Sequence, residues 1–250
     1  MKYIYFDCYA GFDVEMALGS LIDMTKDTDS AKKAAIAITP DAKLYTEETK
    51  RQSMEAMLAY FEFGFPEDRS AADVLENLCF DDDIKSKLKL WYKLKSDGKK
   101  HENSEQIKEL IYCSACLNII KNLEVTDVFV SSVYQGNGVI ATENNITVIP
   151  SPHTELLAKM SGMHTARVDI EKEILTPGGI MLLYVLGAKY MPPKAHNVLK
   201  SGYGAGAENL SIPNIARCIL AEDNEDEPSL NLEAVFSEMN TEFGILSKGK

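Results

Sequence analysis

The chain has 250 residues, 45% hydrophobic and 26% charged, which is ordinary for a globular protein and enough to bury one large core or two modest ones. Its 26 basic and 38 acidic side chains leave a formal net charge of −12. That balance argues against a broad nucleic-acid or anionic-membrane surface, since phosphate arrays need clustered Lys and Arg, but it leaves room for one small anionic ligand in a local pocket.

The N-terminus, MKYIYFDCYAGF, carries Asp7 inside its apolar stretch and makes a poor secretory signal. Residues 3–9 alternate aromatic and aliphatic side chains and predict a strand. Gly11 follows, and Met16, Leu18, Leu21 and Ile22 then fall at spacings that suit a helix packing back on that strand. Between 25 and 48 the only suggestion is a short strand near Ala35–Ile38. The stretch from about 49 to 123 reads as helical. Ser70 with Asp73 predicts an N-terminal cap, and Asp81-Asp82-Asp83 predicts a helix start that continues through Leu88, Trp91 and Leu94 to Gly98. Ser104 is expected to open a third helix with Ile107, Leu110, Ile111 and Leu117 on one side.

At Val125 the texture changes to alternating strands. Turns at Gln135–Gly138 and Asn144-Asn145 predict a β-meander ending at Ile149. Ser151-Pro152 and Thr176-Pro177 each pair a capping residue with proline at the first helical position. The longest apolar run, Ile180–Ala188, is far short of the roughly 20 residues that span a bilayer. Gly202 to Gly206 reads as a glycine-rich loop and Ile215–Ala221 as a final strand. The expected architecture is α/β, a mixed sheet with flanking helices and a helical insertion at about 49–123. One domain is expected over 1–221, followed by an acidic linker and tail over 222–250.

Three motifs invite a functional reading. Asp7, Gly11, Asp13 and Glu15 lie near a helix N-terminus, where carboxylates can hold a divalent metal and backbone N–H groups can receive phosphate; equally, the acids can simply offset the helix dipole. Gly202-Tyr203-Gly204-Ala205-Gly206 contains G-x-G-x-G, but Pro213 and a strand follow instead of a helix, which excludes a dinucleotide fingerprint. A tight turn and a ligand-approach loop remain. Glu173 to Gly179 ends a strand and opens a helix whose N–H groups, with the Thr176 hydroxyl, suit an anion. Five irregularly spaced cysteines predict reduced thiols in a soluble cytoplasmic protein, and Cys113 and Cys116 read as small apolar core residues of a helix before they read as a zinc or redox pair. Four histidines, at 101, 153, 164 and 196, do not approach metal-ligand spacing, and there is no nucleophile elbow or Walker A loop.

Several stretches, in order, resemble the LarC nickel-insertion family. Asp7 to Asp23 is similar to that family's opening D-x-F-S-G-I-S-G-D-M-x-L-G-A-L-x-D and keeps Asp7, Gly11, Met16, Leu18, Gly19, Leu21 and Asp23. Arg69 to Glu76 resembles R-x-L-x-D-I-L, and Val148 to Leu157 resembles P-V-P-A-P-A-T-x-E-L-L after a G-S-G-like turn at Gly136–Gly138. Glu173 to Gly179 resembles E-L-V-T-P-T-G, and Gly202–Gly206 with Ile212–Asn214 resembles G-Y-G-A-G…I-P-N. The chain departs from the family at Tyr60–Pro66, where the family carries a histidine-rich stretch; at His101–Ser104, which shortens a longer acidic segment; and at Asp13–Met16, which replaces S-G-D-M.

The resemblance implies a CTP-dependent cyclometallase of lyase type. It would insert nickel into a pyridinium bisthiocarboxylate mononucleotide, forming one nickel–carbon and two nickel–sulfur bonds. Asp7 and Glu15 are then the implied metal residues, and Gly11, Glu173, Thr176, Gly178, Gly202, Tyr203, Gly204 and Gly206 the implied ligand contacts. CTP is implied for the family's C-terminal domain, which is expected to be absent here and supplied by a separate chain; a homo-oligomer is a further expected partner. Two other readings stand beside this one. One is a non-catalytic relative that binds a nucleotide-like ligand or a protein. The other is an enzyme of another class using the carboxylates around Asp7.

Overall fold

The computed structural model describes residues 1–64, 70–95, 100–142, 145–191, 193 and 197–223. Strand β1 (Lys2–Asp7) leads into α1 (Val14–Thr25) and α2 (Thr28–Ile38). A hairpin follows, β2 (Lys43–Arg51) with β3 (Met54–Glu62), then α3 (Ala71–Glu76), α4 (Asp82–Lys95) and α5 (Lys100–Lys121). Next come β4 (Asp127–Val130), β5 (Val133–Gln135), β6 (Gly138–Thr142), β7 (Asn145–Ile149), α6 (Pro152–Met160) and β8 (Thr165–Arg167). The described chain closes with α7 (Pro177–Val185), β9 (Asn197–Ala205) and β10 (Ile215–Glu222).

Six strands form one mixed sheet in the order β2-β3-β9-β10-β1-β4, so the expected α/β class and mixed sheet hold. β1 is an interior strand, antiparallel to β10 and parallel to the edge strand β4. Its alternation sorts side chains by face. Ile4 and Phe6 join the main core with α1, α2 and α5, whereas Tyr3 packs on the opposite face with Ile219, Ala221, Tyr5 and Phe129. No helix among the described residues is long and apolar enough to cross a membrane.

Locally encoded features are where the sequence places them. Ser70 and Asp73 form a reciprocal capping box, and Ser151 and Thr176 cap helices with proline in the first turn. Cys113 and Cys116 are fully buried in α5, and burial pushes the Cys113 thiol up to about 12 and Cys116 well above its ordinary value. They are core residues.

Five expectations are corrected. Ala35–Ile38 is the last turn of α2, because Ala31, Ala35 and Ile38 make a buried helical stripe at i, i+4 and i+7. Residues 49–51 and 54–62 are strand, although Met54-Glu55-Ala56-Met57-Leu58-Ala59 are good helix formers. Pairing of β2 with β3, including a stacked Tyr45–Tyr60 pair at 5.3 Å, overrides that propensity, so the helical region starts at Ala71. The last of its helices begins at Lys100, four residues before Ser104. The expected meander is dismembered: β4 pairs with β1 and β5 with β8, both parallel, and only β6 and β7 form an antiparallel hairpin. Val128 and Val130 are buried against the central sheet, and that draws β4 away from β5.

The fifth correction concerns Gly202 to Gly206. Most of this stretch is interior strand, with Gly202, Gly204 and Ala205 buried. A Cβ on Gly202 or Gly204 would land on α1 backbone atoms, the Ser20 oxygen and the Met24 nitrogen in one case, the Met16 oxygen and the Ser20 nitrogen in the other. The glycines let a helix lie against a strand with no side chain between them. The helix end near Gly98 lies outside the described residues, as do residues 143–144 of the second turn and residues 224–250 of the acidic tail.

Candidate functional site

The Asp7–Glu15 and Glu173–Gly179 junctions meet beside the C-terminal end of β1. After Asp7 the chain turns at Gly11, whose φ of +88° and missing Cβ allow it to lie against the Ile174 carbonyl. Phe12 donates its N–H to the Ile174 oxygen at 2.9 Å, and its own oxygen accepts from the Thr176 N–H at 3.2 Å. This two-way tie sets the N-termini of α1 and α7 side by side. Gly179 completes it, because a Cβ there would collide with the Phe12 carbonyl. Asp13 caps α1 by accepting from the Met16 N–H at 2.6 Å, and Thr176 caps α7 by accepting from the Gly179 N–H at 3.2 Å.

Beside these caps lies a cleft of about 140 Å³ lined by Asp13, Lys172, Glu173, Thr176, Glu208 and Asn214, among others. Its far wall, the 206–214 loop, is pinned from the β2–β3 turn. Arg51 donates to the Gly206 oxygen at 2.9 Å and the Ala207 oxygen at 3.3 Å, and Gln52 donates to the Leu210 oxygen. Lys172 reaches that wall through an ion pair with Glu208 at 2.6 Å. Glu173 belongs partly to the scaffold: its Oε1 accepts from the Ser151 N–H at 3.1 Å and the Thr154 hydroxyl at 2.6 Å, tying the start of α6 to the cleft. Replacing Glu173 with alanine is therefore expected to cost about 1.5 kcal/mol of stability, read from urea denaturation; an unchanged midpoint would count against this tie.

The N-termini of α1 and α7 thus border the cleft, and that of α6 is tied to it through Glu173. The lining offers the Lys172 ammonium and the Thr176 hydroxyl beside the carboxylates of Asp13, Glu173 and Glu208, a set suited to the hydroxyls of a sugar and to one anionic group at the lysine. Burial pushes the Asp13 carboxyl from 3.8 up to about 7, helped by Glu15 and opposed by the Met16 N–H and Lys108. Between those two values the folded chain holds a proton that the unfolded chain has released, so this group favours folding less as pH rises through that window. Asn retains the cap, so Asp13→Asn is expected to flatten that part of the stability profile, measured by denaturation at acidic and at mildly alkaline pH.

The other sequence-derived residues are placed differently. Gly178 lies here, in the first turn of α7, with Glu109 of α5 against it. Gly202 and Gly204 face α1, the Gly206 carbonyl receives Arg51, and the Tyr203 N–H donates to Asp23 at 2.8 Å. Asp7 is buried on the sheet face away from α1 and pairs with Arg217, its register partner on β10. Glu15, in the first turn of α1, pairs with Lys108 of α5 at 2.8 Å. Each implied metal residue therefore has its own cationic partner on a different element. Among the described residues, no group of three or more His, Cys, Asp or Glu could hold a metal ion. Sequence reasoning missed Arg217, Lys172 and Glu208. Only Arg217 carried a signal, as a lone charge in an otherwise apolar strand.

The chain matches the model of one family, described as nickel insertion protein, over residues 4–244. It is 23% identical over 264 residues to the pyridinium-3,5-bisthiocarboxylic acid mononucleotide nickel insertion protein of Alkaliphilus metalliredigens, covering 90% of this chain and 62% of that protein. Proteins of the same description from Acetivibrio thermocellus and Staphylococcus saprophyticus are each 26% identical, with 97% and 90% of this chain and 67% and 61% of theirs covered. The chain thus spans between three fifths and two thirds of the length of these relatives. No solved structure matches it significantly. The matched stretch includes all of the six-stranded sheet but the first two residues of β1, and each residue named around the cleft, and on that extent the chain belongs to the nickel insertion protein family.

Proposed function

We propose that this chain is a nickel-insertion component that binds the pyridinium bisthiocarboxylate mononucleotide, with its phosphate and ribose in the cleft between the α1 and α7 caps. The observation that carries the reading is the convergence of the Asp7–Asp23 and Glu173–Gly179 motifs on one polar cleft through the Phe12–Leu175 bridge. Nickel is the substrate of the reaction, delivered to the two sulfur atoms and one carbon of the precursor. Asp7 and Glu15 are the proposed delivery carboxylates, and each would have to leave its present cation to take the metal. The CTP-dependent step is proposed to need the part of the relatives that this chain does not match, supplied by a separate chain.

A second reading, a relative that binds a nucleotide-like ligand or a protein without nickel chemistry, is favoured by the ion pairs that already engage Asp7 and Glu15. Titration calorimetry with nickel separates the two, using zinc and magnesium as controls and repeating with Asp7→Asn and Glu15→Gln. Nickel-preferring binding that both substitutions weaken supports delivery. An absence of nickel binding sinks delivery by this chain and leaves the second reading.

A further inference from the structure

Tyr9 lies between the end of β1 and the Asp13 cap and is not among the residues that line the cleft. It stands 58% exposed just past β1, and its ring meets that of Tyr134 edge-on, 5.6 Å between centroids at 62°. Beyond that edge contact, a phenol 58% exposed at a turn buries little area, and here the turn is held by hydrogen bonds. Gly11 donates to the Cys8 oxygen and Tyr134 donates to the same oxygen, each at 3.2 Å, so both rings are carried by one hydrogen-bonded corner. Tyr5, next along the same side of β1, interacts through its hydroxyl with both Tyr9 and Asp7. Behind them, Arg217 binds Asp7 while its side chain stays 42% exposed. Tyr9 is four residues from Asp13, an extended reach of at most about 14 Å that the Gly11 turn shortens further.

We propose that Tyr9, braced by Tyr134 and linked through Tyr5 and Asp7 to the partly exposed Arg217, is a platform for an acid-substituted pyridinium ring whose phosphate lies in the cleft. The inference rests on the cleft reading and adds the part of the ligand the cleft is too small to hold. A pyridinium ring is a flat cation, so it gains from the electron-rich face of a tyrosine. Its acid substituents carry the opposite charge, and a planar guanidinium pairs with them. A bare phosphate or sugar has no use for either group.

The test uses three probes on the full chain by titration calorimetry: nicotinic acid mononucleotide, with ring, acid and phosphate; N-methylnicotinate, with ring and acid only; and ribose 5-phosphate, with neither. Tyr9→Ala is expected to weaken the first two about fivefold and leave ribose 5-phosphate unchanged, while Tyr9→Phe, which keeps the ring face, binds all three as the unsubstituted chain does. Equal affinity of Tyr9→Ala and the unsubstituted chain for N-methylnicotinate overturns the platform. Binding of ribose 5-phosphate without any binding of N-methylnicotinate also overturns it and spares the cleft. Tyr9-dependent binding of N-methylnicotinate with no binding of ribose 5-phosphate supports the platform and removes the cleft.

Discussion

Gly204→Ala is expected to destabilise the fold by about 3 kcal/mol or more, a large share of the 5–15 kcal/mol typical of a native domain. The added methyl has nowhere to go. At its ideal position it overlaps the Met16 carbonyl oxygen, and the Ser20 nitrogen and Met16 carbon are also inside the closest approach real Cβ atoms make. All three are helix backbone, so no rotamer change relieves the clash; α1 must move as a body. On the same face of α1, Gly19 lies against the Met57 carbonyl of β3 and the Cα of Gly204, so the helix rests directly on both strands and its displacement would undo both contacts. Gly162→Ala is the control. Unlike Gly204 it sits at positive φ, +69°, and a Cβ there meets nothing within 4 Å, so only a backbone term of about 1–2 kcal/mol applies. Urea denaturation of both variants reads the difference. If Gly204→Ala were as stable as the unsubstituted chain but lost ligand affinity, the glycines would serve ligand approach after all, as the motif G-x-G-x-G suggested.

Why that motif misled is instructive about which parts of this fold are legible. Caps are local: Ser70 with Asp73, Ser151 with Pro152 and Thr176 with Pro177 encode their helix starts within three residues, and all three are where the sequence puts them. The junction at Glu173–Thr176 was readable as donor-rich for the same reason. Strand partners are not local. Residues 54–59 carry helical propensity and become strand only because β2 pairs with them, and Val128–Val130 leaves its neighbours for β1, more than a hundred residues away. Glycines at 202 and 204 look identical in sequence whether they turn the chain or admit a helix. Lys172 and Glu208 form part of the cleft through an ion pair between exposed side chains, and no periodicity marks either one.

Arg217→Met is expected to cost about 2–3 kcal/mol, the companion Asp7→Asn less, and the double variant less than the sum of the two. Asp7 is 8% exposed and its carboxylate is held by the Nε and Nη2 of Arg217. Removing the guanidinium leaves a charge stranded against Tyr5 and the sheet, and that orphaned charge is what makes breaking a buried pair expensive. The arginine side chain is 42% exposed, so solvent screens part of the attraction and the cost falls below the 3–5 kcal/mol of a fully buried pair. Changing Asp7 as well removes the orphan, and an asparagine with a methionine recovers part of the loss. A double-mutant cycle by urea denaturation measures the coupling directly. Nickel gives the cycle a second use. If Asp7 delivers metal, nickel must compete with Arg217, so Arg217→Met would bind nickel more tightly than the unsubstituted chain even as it folds less stably. Loss of both stability and nickel affinity in that variant would instead mark the pair as scaffold, with Asp7 fixed in place by its arginine and unavailable to the metal.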